Sequence, residues 1–157
     1  MPIILMKAQL ALETRRKTQI QNEMNRAIPT HGMLALVAKY RREYPDATHR
    51  DVGPCSTYNC HGLTFASRRT WLPGTGEIQR ILEDDDYNRI EAKDAGVGDV
   101  VVYSLQGIIE HTGIIVECLP FNDKKVLSKW GNLHEVVHKL ADCPWRDYDK
   151  FYYRVVR

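Results

Sequence analysis

Gly98-Asp99-Val100-Val101-Val102-Tyr103, followed beyond Gln106-Gly107 by Glu110-His111-Thr112-Gly113-Ile114-Ile115-Val116, reads as two strands of one hairpin. β-Branched and aromatic side chains suit a pleated, half-buried surface. The first run is bounded by Gly98 and Gly107, and the second precedes Pro120. Gln106-Gly107 is the turn signal, so His111 falls near the start of the second strand. Further strands are expected over residues 125–130 and 151–156, where Tyr152, Tyr153, Val155 and Val156 are good sheet formers. With helical patterns elsewhere, the natural architecture is an α+β domain with an antiparallel sheet.

Upstream of the hairpin the periodicity is helical. Residues 5–27 are charge-rich, with Leu12, Ile20 and Met24 among their apolar positions, and read as one long helix or two short ones. Pro29-Thr30-His31-Gly32 punctuates the chain. Met33, Leu34, Leu36, Val37 and Tyr40 then form a core-facing helical stripe that ends before Pro45. Residues 51–58, with Gly53, Pro54 and Ser56, read as loop, and Leu63, Ala66 and Thr70 resume helical spacing. After the loop Leu72-Pro73-Gly74-Thr75-Gly76, a short helix is expected near residues 77–82, and the acidic run 83–86 reads as a solvated turn.

Asn59-Cys60-His61-Gly62-Leu63 places a thiol where loop turns into helix. There, unpaired backbone N–H groups and the helix dipole favour thiolate and can later hold an oxyanion. A buried structural cysteine is the competing interpretation. His111 could serve as general base to such a thiol, because the two need only be spatial neighbours. Alone, it is an ordinary polar strand residue.

Together these segments resemble the NlpC-type and CHAP-like branch of the papain-fold cysteine hydrolases. That branch has Asp or Asn, Cys, any residue, Gly, then Leu or Phe at the nucleophile. A Gly-Asp-hydrophobic strand follows, and then a His-x-Gly-hydrophobic strand. Asn59, Cys60, Gly62 and Leu63, then Gly98-Asp99 with residues 100–102, then His111, Gly113 and Ile114 keep that order. His61 stands where the family often has a small residue. The resemblance implies one papain-like domain over residues 1–157, with 1–45 as a helical N-terminal extension and the nucleophile helix packed on a small antiparallel sheet.

It also implies an acyl-transfer hydrolase without cofactor or metal. Cys60 would attack an amide or ester carbonyl, and His111 would protonate the leaving group. Ser128 is the positional match for the residue that orients the base, with Asn132 just beyond it. The Cys60 N–H, aided by Tyr58 or Asn59, would hold the oxyanion, and Trp130 would stand beside the cleft or in the core. Substrates in such a family are peptides, peptidoglycan peptides or acyl groups, and a bacterial effector or toxin is one setting. A catalytically inactive papain-like binding domain is the non-enzymatic alternative.

His134-Glu135-Val136-Val137-His138 matches HExxH, which on a helix would give a zinc metallopeptidase with Glu135 as base. Only Asp142, Cys143, Asp147 and Asp149 follow as third ligands, and the flanks allow barely two helical turns. The rest of the composition narrows the field. At 157 residues and 43% hydrophobic the chain suits one domain, and a net charge of +2 gives no field that would dictate a nucleic-acid partner. No apolar run approaches a membrane span, and residues 1–6 are too short for a signal-peptide core. A cytoplasmic protein with reduced Cys55, Cys60, Cys118 and Cys143 is therefore expected, able to meet a protein partner through its N-terminal helices.

Overall fold

The computed structural model describes residues 8–156. Its framework is one seven-stranded antiparallel sheet carrying three short helices. In chain order the elements are α1 (His31–Glu43), β1 (Thr48–His49), α2 (Cys60–Ala66), α3 (Thr75–Asp84), β2 (Tyr87–Ile90), β3 (Val100–Leu105), β4 (Ile108–Cys118), β5 (Lys124–Lys129), β6 (Glu135–Lys139) and β7 (Asp149–Val155). The strands run β1-β6-β5-β4-β3-β7-β2 across the sheet. The expected hairpin is β3–β4, with Val102 opposite Thr112 and Tyr103 opposite His111, and its register shifts next to Ser104.

This architecture corrects the papain-like expectation of N-terminal helices and a nucleophile helix on a small sheet. The sheet is the dominant element, because three segments not read as strands (β1, β2 and β6) extend it on both sides. Each of these strands is too short, or too polar on one face, to show alternation in sequence. Helix α1 matches its stripe: Thr30 caps it by accepting from the Met33 N–H at 3.2 Å, and Met33 and Val37 bury against Leu133. Helix α3 likewise forms where expected, seating Ile78, Ile81 and Leu82 in the core.

The helical reading of residues 5–27 is also corrected, since 8–27 are extended and fold back on themselves. Bridges join Ala8 to Met24 and Glu13 to Gln19, around a turn in which the Lys17 N–H donates to the Thr14 carbonyl. The portion before residue 8 lies outside the described residues. Short polar side chains decide the outcome by offering the backbone partners other than a helix. Asn22 accepts from the Leu10 N–H and donates to the Leu10 and Ile20 carbonyls. Thr14 and Thr18 donate to Asp84, and the Arg15 N–H donates to Asp85. The acidic run therefore anchors this hairpin instead of standing as a free solvated turn.

The core divides by sheet face. Val100, Val102 and Ile109 pack with Ala66 of α2, with α3 and with Ile20 of the hairpin. Val101, Tyr103, Ile115, Val126, Trp130 and Val136 pack with Cys143 and Tyr152 on the other side. Among the described residues no helix is long and apolar enough to cross a membrane.

Candidate functional site

Cys60 is the first residue of α2 and is buried, as the junction between loop and helix predicts. Asn59 is the N-cap: its Oδ1 accepts from the Gly62 N–H at 2.9 Å and from the Leu72 N–H at 3.2 Å, while its Nδ2 donates to the Leu72 carbonyl. The side chain named as an oxyanion candidate is thus committed at both its oxygen and its nitrogen to holding the helix start. Gly62 is required by contact, because a Cβ there would run into the Thr70 carbonyl. Burial pushes the Cys60 thiol up to about 11, against the backbone groups of Thr112, His61 and Cys60 itself and the Lys129 charge, all of which favour thiolate.

Beneath this helix lies a satisfied polar network. The Lys129 ammonium donates to the carbonyls of Cys55 (2.7 Å), Tyr58 (2.9 Å) and Gly131 (2.9 Å), using all three of its protons to staple the loop that presents Cys60. Burial lowers its pKa, opposed by Cys55 and Cys60. Tyr58, the other oxyanion candidate, donates its hydroxyl to Glu135 at 2.7 Å. Glu135 also receives Arg50 at 2.8 Å and Arg68. Burial would raise the Glu135 carboxyl, but hydrogen bonds from Arg68 and Tyr58 and the nearby guanidinium charges hold it below the usual range. A further chain of hydroxyls runs along α2, from His61 Nδ1 to Thr112, to Thr64, to the Cys60 carbonyl.

His111 leaves β4 on the opposite face, since it neighbours Thr112 and strand side chains alternate. It pairs with Tyr103, and its ring stacks on Trp145 with centroids 3.6 Å apart and planes within 2°. It is fully buried, and neither ring nitrogen has a hydrogen-bond partner among the described residues, so no hydrogen bond joins it to Cys60. Burial, then the charges of His138 and His61, hold its pKa well below the ordinary value. Ser128 does not orient His111 either. Its hydroxyl donates to His138 Nε2 at 2.8 Å, while His138 Nδ1 donates to the Lys139 carbonyl.

Trp130 is core, ringed edge-on by Tyr40, Tyr44, His49, His138 and Trp145. His49 donates from Nε2 to the Tyr44 carbonyl and accepts at Nδ1 from His134 Nε2 at 2.7 Å, which leaves His134 Nδ1 a bare acceptor. Tyr103 Oη, both His111 nitrogens, Trp130 Nε1 and His134 Nδ1 are the buried polar atoms without a partner among the described residues. All of them belong to this one aromatic and histidine cluster.

The HExxH segment is strand β6 and its lead-in, which removes the helical zinc reading. At about 3.3 Å per residue His134 and His138 start about 13 Å apart on the backbone, and Glu135 faces away from both into its arginine pair. Sequence reasoning missed Trp145, Lys129 and Arg68. Lys129 beside Trp130 carried a signal, a lysine inside an apolar strand, which demands buried acceptors. All four cysteines are free thiols. Comparison with known proteins finds no matching family model, curated protein or solved structure.

Proposed function

We propose that the chain is a cysteine hydrolase acting on an amide or ester bond, with Cys60 as nucleophile and His111 as base. What supports this is a buried thiol at the first residue of α2, with the Thr112 backbone, one residue from His111, among the groups that favour its thiolate. The β4–β5 ladder runs from Cys118 and Lys124 to Ile114 and Leu127 and goes no further, so Thr112 and His111 lie beyond its paired part. The Cys60 thiol and the uncommitted His111 imidazole stand on opposite faces of β4, so these roles require the end of β4 to turn His111 toward α2. The order of the Asn-Cys, Gly-Asp and His-x-Gly segments supports the same roles.

In the reaction, His111 takes the Cys60 proton and the thiolate bonds to the carbonyl carbon. The bond to the leaving nitrogen or oxygen breaks as His111 returns the proton to it, and water then splits the thioester to free the acid and the thiol. The backbone N–H of Cys60 serves the oxyanion, since the Tyr58 and Asn59 side chains are engaged elsewhere. Trp145 covers His111, so turnover requires the connection 140–148 to lift.

A second reading, an inactive binding domain, is favoured by the absence of a Cys60–His111 hydrogen bond and by the raised thiol pKa. Peptide-level mass spectrometry of iodoacetamide labelling at neutral pH separates the two. A hydrolase labels at Cys60 faster than at exposed Cys118, and His111→Ala slows Cys60 alone. Labelling of Cys118 with Cys60 silent in the folded protein supports the binding domain and overturns the hydrolase.

A further inference from the structure

We propose that the groove on either side of Trp71 is a binding site for a neutral oligosaccharide. Two adjoining depressions, of about 190 Å³ and 270 Å³, share Trp71 and Glu23 as their common wall. Ser56 and Asn132 complete the first, and Gln9 and Gln21 lie along the second. Trp71 is half-buried and held rigidly, because its backbone N–H and carbonyl both pair with Glu23 at 2.9 Å. A half-exposed aromatic ring on a fixed backbone, shared by two depressions, is a platform.

The lining selects the ligand. A pyranose presents a face of C–H groups and a rim of hydroxyls that donate and accept. An indole face covers the first, and carboxamide and hydroxyl side chains match the second. Ser56, Asn132 and the Gln9 and Gln21 side chains make no hydrogen bond within the described chain, so their polar groups remain for a ligand. Among the described residues neither depression is lined by Lys or Arg, which disfavours phosphate and other anions. A peptide adding as a strand needs a free backbone edge, and the Trp71 and Glu23 backbones are already paired with each other. The site does not depend on Cys60, although Ser56 belongs to the loop that presents it.

The test is titration of the whole chain with chitotetraose and cellotetraose, followed by NMR shifts and calorimetry, with a neutral polar tetrapeptide as the competing probe. One of the sugars should bind with a Kd near or below about 1 mM. Trp71→Ala should weaken it by about tenfold or more, Trp71→Phe should restore most of that loss by keeping an aromatic face, and Asn132→Ala should weaken it several-fold. Asn132 is exposed, so its variant keeps the test valid even where Trp71→Ala perturbs folding. Silence of both sugars at about 10 mM, binding of the tetrapeptide instead, or binding indifferent to both Trp71→Ala and Asn132→Ala overturns the proposal.

Discussion

The two faces of the sheet treat buried polar groups in opposite ways. On the α2 face, Lys129 and Glu135 are charged and fully enclosed, yet each is surrounded by partners: three carbonyls for the ammonium, and two arginines and a tyrosine for the carboxylate. On the other face, four histidines and two tryptophans meet with only part of their hydrogen-bonding capacity used, and the buried side-chain polar atoms without a partner among the described residues lie there. Satisfied networks rigidify a core, whereas unsatisfied buried groups cost on the order of 1–3 kcal/mol each. The first face is therefore built to hold a loop in place, and the second to tolerate strain around His111.

Acid attacks the second face hardest. His134 and His138 are held down to about 4 by burial, and His61 on the α2 side likewise. With an unfolded pKa near 6.5, each of them takes up a proton in the unfolded chain before the folded one does. Their contribution is thus intact above about pH 6.5 and is lost as pH falls toward 4, on the order of 3 kcal/mol for each fully buried ring. Urea unfolding measured across that interval should show a steep loss of stability. His134→Phe should flatten the slope while costing about 1 kcal/mol at neutral pH, because it removes an acceptor without a partner together with the donor to His49 Nδ1. A flat profile in the parent chain would dissolve the contrast between the faces.

The complementary break is Lys129→Met. It removes the ammonium from three carbonyls at once and leaves them with nothing in its place, so we expect a loss of about 3 kcal/mol in urea unfolding at neutral pH. The damage should localise to the loop 53–58, read as faster amide exchange there than in β7. Uniform exchange across the chain would mean that the staple acts on the whole sheet and not on the loop that presents Cys60.

What was legible in the sequence follows from how locally each feature is determined. The β3–β4 hairpin, α1, α3 and the placement of Cys60 at a helix start rest on neighbours within a few residues, and all are present. Residues 8–27 carry enough apolar spacing to suggest a helix, but Thr14, Thr18 and Asn22 found partners at Asp84, Leu10 and Thr70 that no local pattern records. His134-Glu135-Val136-Val137-His138 fails the same way: a pattern with a helical meaning sits on a strand whose pairing with β5 is set from outside. The glycines of the two motifs also have a packing cause. A Cβ at Gly62 meets the Thr70 carbonyl, and one at Gly113 meets the side chains of Val126 and Ser128. Their presence therefore testifies to close approach of chain segments before it testifies to catalysis.

The smallest expected effect discriminates most finely, and it concerns Ser128. Were it the orienter of His111, Ser128→Ala would slow any Cys60 chemistry by up to about tenfold, the worth of one ordinary hydrogen bond. The structure gives its hydroxyl to His138 instead, 2.8 Å away and fully buried. Removing it leaves His138 Nε2 without a donor, at a cost of about 1 kcal/mol. We therefore expect Ser128→Ala to lower the urea midpoint slightly and to leave the rate of Cys60 labelling unchanged. His138→Phe in the same background should add only the loss of its hydrogen bond to the Lys139 carbonyl, about 1 kcal/mol, since the bond to Ser128 is already gone. A labelling rate that falls with Ser128→Ala while stability holds would place the hydroxyl beside His111 in the working state, and would show that Ser128 changes partner within the histidine face when the Trp145 connection opens.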